Sequence, residues 1–201
     1  MRAAIRKPVS AREVGAASAI EEYLAQVRAT LAALPTADLE RIIGVLDEAR
    51  MAGKQVFILG NGGSAATASH FASDLAKGAI TPGKPRFKAF ALTDNMPLFS
   101  AWANDAAYED VFAQQLSNFI QPGDVVIAIS GSGKSPNVLK AVHLARSVGA
   151  TTIGLTGDMG GELQRTTDVC LVVPNRCMEQ IEDVHLVIEH VITTCLRGGG
   201  R

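Results

Sequence analysis

Two short turns rich in glycine and serine carry the first chemical signal. GNGGS, residues 60–64, follows the apolar run QVFIL, and SGSGKS, residues 130–135, follows VVIAI. A helical pattern begins directly after each. Glycine lets backbone N–H groups approach an anion closely, and serine hydroxyls donate to it. The start of a helix adds partial positive charge. Phosphate binding is the chemistry this combination serves best. A second signal is acid–base. His70 and Asp74 are spaced to share one face of the helix after the first turn. Glu182, Asp183, His185, Glu189 and His190 gather on the last helical pattern. If the two helices meet, two imidazoles and two carboxylates can hold a divalent ion, or move protons without one. The bland readings stand beside these: two tight turns with helix caps, a surface His–Asp pair, and a solvated charged face along 179–189. His143, among LKAVHLARS, reads as a surface or half-buried residue.

Familiar phosphate motifs fit poorly. Gly60, Gly62 and Ala65 satisfy the loose dinucleotide fingerprint, which also needs an acid about 20 residues on. Asp94 lies too far along, and the fingerprint leaves the second serine turn unexplained. Gly133-Lys134-Ser135 resembles the end of a P-loop, but the motif's first glycine would fall at Ala128, inside the strand.

The elements that must position these residues follow from periodicity. Residues 17–34 and 35–53 read as two helices preceding any strand. Five buried strands then alternate with helices: QVFILG, FKAFALT, GDVVIAIS, ATTIGLTG and DVCLVVP. NMPLFSAWAND and YEDVFAQQLSNFI read as helical, and MEQIEDVHLVIEHVITTCLR closes the chain as a long helix. Continuous apolar strands alternating with helices imply an α/β fold, a parallel sheet covered on both faces. Ligands in such folds bind beyond the carboxyl ends of the strands, where both serine turns lie.

Bulk composition narrows the partners. The chain has 201 residues with 47% hydrophobic and 19% charged, enough for one packed domain with an added arm. Net charge is −1 with no basic cluster, which argues against nucleic acid. No apolar run is long enough to span a membrane, and the start, MRAAIRKPVSAREVG, lacks an apolar signal core. The 3 cysteines, Cys170, Cys177 and Cys195, have no metal-like spacing, so a reduced cytoplasm is expected. The tail GGGR is expected to be disordered.

GNGGSAATASHF, AWAND, ISGSGKSPNVLKA, LTGDMGGEL and QIEDVHLVIEH, in this order, together resemble the phosphoheptose isomerases of the sugar-isomerase (SIS) domain superfamily. The resemblance runs from about Gly53 to Leu196. It implies a flavodoxin-like three-layer sandwich, a five-stranded parallel sheet flanked by helices, as an SIS domain over 53–197, with an N-terminal helical arm over 1–52. It implies a homotetramer with active sites at subunit contacts, and a phosphorylated seven-carbon sugar as substrate. Ser130, Gly131, Ser132 and Ser135, aided by Ser64, would hold the phosphate. Asn61, Gly62, Gly63, Asn104 and Asp105 would line the sugar. His70, Asp74, Glu182 and His190 would surround the reacting carbons and bind Zn2+, with Asp74, Glu182 and His190 catalytic. Asp74 stands where the family usually has glutamate, and Glu182 where it usually has glutamine. The expected reaction is aldose–ketose isomerisation through a cis-enediol. The alternative is a non-catalytic sugar-phosphate sensor or an assembly adaptor of the kind that engages a replication initiator.

Overall fold

The computed structural model describes residues 15–198. The expectations for the first 14 residues and for the end of the GGGR tail lie outside that range. Two helices come first, α1 (Ala16–Ala32) and α2 (Thr36–Met51). Then follow β1 (Gln55–Gly60), α3 (Gly63–Ser73), β2 (Lys88–Ala91), α4 (Met96–Asp105), α5 (Ala113–Ser117), β3 (Val125–Ser130) and α6 (Pro136–Val148). The chain ends with β4 (Thr151–Gly157), α7 (Leu163–Thr166), β5 (Val169–Val173) and α8 (Met178–Leu196).

The five strands form one parallel sheet in the order β2-β1-β3-β4-β5. Their side chains alternate between two cores, as the two-residue period of a strand requires. Val56, Ile58, Ile127 and Ile153 pack with α2, α3 and α8 through Ile42, Leu46, Phe71, Val184 and Ile188. Phe57, Leu59, Val126 and Ala128 pack on the other face with Phe112, Leu116, Val138 and Val142. Burying each such side chain contributes about 1.5–3 kcal/mol, so both helical layers are held firmly.

α2 buries Leu39, Ile42, Leu46 and Ala49 in the main core, whereas α1 buries only Thr30. Ile20 and Leu24 of α1 remain 59% and 62% exposed. Polar contacts tie α1 down: Gln180 Nε2 donates to Gln26 Oε1 at 2.8 Å, and Asn175 Nδ2 to Thr30 Oγ1 at 2.7 Å.

The stretch YEDVFAQQLSNFI is not one helix. It divides into a 3-10 turn, Tyr108–Asp110, and the short α5. Val111 and Phe112 at the break are wholly buried, and the Gln115 amide pins the bend by donating to the carbonyls of Leu92 and Val111. Core packing overrides helical propensity there.

The strand order places the site. β1 leads through α3 to β2 on one side, while β3 leads through α6 to β4 on the other. The sheet therefore has its topological switch point between β1 and β3, where ligands bind in open α/β sheets. Gly60 at the end of β1 pairs in register with Ile129 near the end of β3, so the two serine turns emerge side by side.

Candidate active site

The two turns enclose a cavity of about 140 Å3 lined by Asn61, Ser64, Ser130, Gly131, Ser132, Ser135, Met178 and Glu182. Ser130 Oγ lies 3.1 Å from Ser135 Oγ and 3.5 Å from Ser132 Oγ, a tight hydroxyl triad. Neither helix that starts here, α3 or α6, has a side chain capping its first turn. Ser135 occupies the capping position of α6, yet its hydroxyl faces Ser130 instead. Uncapped helix starts and clustered hydroxyls make an anion cradle.

The cradle is braced from behind. Gly157 N donates to Gly131 O and Leu163 N to Gly133 O, both at 3.0 Å. Gly133 has φ +63°, and a β-carbon there would strike the Gly160 carbonyl, so only glycine fits. Asn61 is fixed by two reciprocal amide bonds to Asn137, at 2.8 and 2.9 Å, and accepts from the Tyr108 hydroxyl at 3.0 Å. Asn137 is buried, and neither it nor Tyr108 stands out in the sequence, since one amide on a helix and one tyrosine after a loop have no periodic signature.

Glu182 reaches into this cavity from α8 and lies against Gly63 at the start of α3; a β-carbon on Gly63 would collide with its carboxylate. Gly62 starts the helix with φ +55°. Asn104 and Asp105 stand elsewhere, at the end of α4, exposed and bonded to each other at 2.8 Å.

Further along the same two helices, the histidines meet. The rings of His70 and His190 are edge-on with centroids 5.0 Å apart, and their Nε2 atoms are separated by 3.5 Å. Asp74 Oδ1 is 3.9 Å from His70 Nε2, and its Oδ2 is 3.9 Å from His190 Nε2. Asp74 begins a π-helical turn, Asp74–Gly78, in which Ala79 N donates to Asp74 O at 2.8 Å. Such turns re-aim side chains and occur often at functional sites.

The fourth member of the group is Glu189. Its Oε1 lies 3.4 Å from His70 Nδ1 and 3.4 Å from His190 Nε2. Its side chain is 0% exposed, and neither carboxylate oxygen has a hydrogen-bond partner. Burial, with the Asp74 charge as a second cause, pushes the Glu189 carboxyl up to about 8. Ligand atoms of His70, Asp74, Glu189 and His190 all fall within 4.8 Å of one another. Within one chain Glu182 does not join them. It sits more than two turns from His190 on α8, about 12 Å along the axis.

His185, between the two regions, is a buried residue of the core. Burial pushes its imidazole down to about 4, against a contact of Nε2 with the Thr156 carbonyl at 3.4 Å. The ring is therefore neutral at pH 7. Among the described residues, no helix is long and apolar enough to cross a membrane.

An open parallel sheet with an anion cradle at its switch point, and facing imidazoles and carboxylates on the adjoining helices, defines a sugar-phosphate-binding α/β protein. The SIS domain family matches residues 22–157. The phosphoheptose isomerase of Trichlorobacter lovleyi is 36% identical over 187 residues, which are 91% of this chain and 92% of that protein. That of Mycobacterium tuberculosis is 43% identical over 142 residues, 71% of this chain and 72% of the relative. Among solved structures, a phosphoheptose isomerase from Neisseria gonorrhoeae superposes with a TM-score of 0.81 at 28% identity, covering 90% of this chain and 95% of that one. The chain belongs to the SIS-domain family and, within it, to the phosphoheptose isomerases. It is an isomerase of sugar phosphates.

Proposed function

We propose that this chain interconverts D-sedoheptulose 7-phosphate and D-glycero-D-manno-heptose 7-phosphate through a cis-enediol. The observation that carries the reading is the anion cradle whose wall holds a carboxylate, Glu182, on the helix that also bears His190. Ser130, Ser132 and Ser135, with Ser64 and the uncapped starts of α3 and α6, hold the phosphate. Asn61, locked by Asn137 and Tyr108, orients a sugar hydroxyl. Phosphate binding, remote from the reacting carbons, supplies the energy that fixes the chain for reaction.

Moving the carbonyl between adjacent carbons requires a base to take a carbon-bound proton and return it to the neighbour, while an acid serves the oxygens. Glu182, with Asp74 as the second carboxylate, takes the carbon-bound proton. His190 passes protons to and from the oxygens. The donor set of His70, Asp74 and His190, beside a buried carboxylate with no partner, fits a divalent ion such as Zn2+. Bound there, the ion would supply charge that polarises the sugar carbonyl. The working assembly is a homotetramer in the cytoplasm, in which neighbouring copies wall the cleft and Asn104 and Asp105 reach the sugar. The offset of Glu182 from His190, about 12 Å along the axis of α8, favours that arrangement, because a neighbour can bring the two groups to one substrate.

Incubation with sedoheptulose 7-phosphate in D2O, followed by NMR, tests the reading. The aldose heptose 7-phosphate should appear with solvent deuterium at the carbon next to the new carbonyl. Binding of the ketose phosphate without turnover would instead leave a sensor or adaptor.

A further inference from the structure

We infer that Asn137 and Tyr108 are positioning residues: together they hold the Asn61 amide so that it can only donate to the cavity, and what Asn61 reads there is an accepting oxygen of the sugar. The inference rests on the proposed function in taking a sugar phosphate as the occupant. Three observations carry it.

The first is a full count of donors and acceptors. An amide oxygen has two acceptor sites, and an amide nitrogen has two donor hydrogens. Val138 N is a donor and nothing else, and it lies 3.0 Å from Asn137 Oδ1. That backbone group settles which end of the Asn137 amide is oxygen. Asn137 Oδ1 also accepts from Asn61 Nδ2 at 2.9 Å, so Asn137 Nδ2 is the group that donates to Asn61 Oδ1 at 2.8 Å. The Asn61 amide is thereby oriented in turn. The Tyr108 hydroxyl, 3.0 Å from the same Asn61 oxygen, has to donate to it. Asn61 Oδ1 then holds two donors and is full. One N–H of Asn61 Nδ2 remains, on a residue that lines the cavity.

The second observation is how firmly the two partners are held. Asn137 is 1% exposed, so its amide cannot exchange these bonds for water. Tyr108 is half-exposed, but its ring packs edge-on against Phe99 with centroids 5.8 Å apart, and Phe99 packs on Phe112 at 5.6 Å. The turn that carries Tyr108 is pinned to α6, with Lys140 Nζ 2.6 Å from Asp110 Oδ1. Asn137 and Lys140 are three residues apart on α6 and share one face. One face of α6 therefore anchors both arms of the network that meets at Asn61. The third observation is the polarity of the cavity. Its serine hydroxyls can donate or accept, whereas the Glu182 carboxylate only accepts. A sugar hydroxyl that meets both Asn61 and Glu182 has one bonding sense, its lone pair toward the amide and its proton toward the carboxylate. An amide freed from its partners could turn its oxygen to that lone pair and lose the discrimination.

Calorimetry on the full chain with two probes, D-sedoheptulose 7-phosphate and inorganic phosphate, tests this. Tyr108→Phe removes one hydroxyl from a half-exposed side chain, so the fold is spared. It should weaken sugar-phosphate binding about fivefold, the loss of one hydrogen bond, and phosphate binding less than about twofold. Asn137→Ala should weaken sugar-phosphate binding about 20-fold, again with phosphate nearly unchanged. Damage to the fold alone would lower both affinities together. In an Asn61→Ala background, Tyr108→Phe should change sugar-phosphate binding by no more than about 1.5-fold, because the tyrosine acts only through the amide. Asn61→Asp, which puts an acceptor where the free donor was, should lose more of the preference for sugar phosphate over phosphate than Asn61→Ala does. The same fivefold loss in Tyr108→Phe with and without Asn61, equal losses for both probes, or parent-like binding by Asn137→Ala would overturn the inference and leave the proposed substrate standing. A parent chain that binds the two probes equally well would overturn both.

Discussion

The serine cradle and the histidine–carboxylate group sit on the same pair of helices, α3 and α8, yet they are built by different means. The cradle is made of backbone and short side chains at strand ends, and every hydroxyl of its triad has a near neighbour. The second group is made of long side chains that meet across two helices, and one of its carboxylates has no partner at all. The first is bonded within itself, while the second leaves a buried carboxylate beside two imidazoles. In the proposed function the first anchors the phosphate and the second serves the reacting carbons, so that phosphate binding positions the sugar for proton transfer.

Breaking the reacting end should have the largest effect. His190→Ala is expected to lower kcat about 10³-fold, within the usual range for a lost acid–base group, while sugar-phosphate affinity measured by calorimetry changes only a few-fold. Breaking the anchor should do the reverse. The double variant Ser130→Ala, Ser135→Ala is expected to raise KM about 100-fold, since a hydrogen bond to a charged group contributes about 1.5–3 kcal/mol, with Co2+ binding unchanged.

His185 sharpens the comparison, because it belongs to neither region and acts on stability alone. Burial lowers its pKa on folding from the ordinary 6.5 to about 4, so the unfolded chain binds the extra proton first as pH falls. Its contribution is present above pH 6.5 and is lost on acidification toward 4. Going from pH 7 to 5 should cost about 2 kcal/mol in urea unfolding, and His185→Gln should flatten that slope. Gly63→Ala should have the smallest effect. The new methyl displaces only the flexible end of Glu182, so kcat/KM should fall about tenfold with little change in melting temperature.

The same contrast explains what the sequence revealed. The cradle was legible because strand, turn and helix start are local: VVIAI followed by SGSGKS determines where Ser130 and Ser135 point. The parallel sheet and both flanking layers were legible from apolar runs and helical periodicity, and the family resemblance is borne out by the relatives. α5 was misread as part of a longer helix because the burial of Val111 and Phe112 is a tertiary fact. Glu189 looked like one more charge on a solvated face. Its burial depends on how α8 packs against α3, and the π-helical turn that aims Asp74 has no sequence signature. The resemblance pointed to Glu182 as the partner of His190, whereas within one chain the structure puts Glu182 in the cradle and Glu189 beside the histidines.

A crystal of the chain soaked with sedoheptulose 7-phosphate tests the central claim most directly. The phosphate should accept hydrogen bonds from Ser130, Ser132 and Ser135, with the two reacting carbons turned toward Glu182 and a His70–His190 pair. An empty serine cradle, or a sugar bound with its carbonyl end facing away from every carboxylate and histidine of the assembly, would contradict the account.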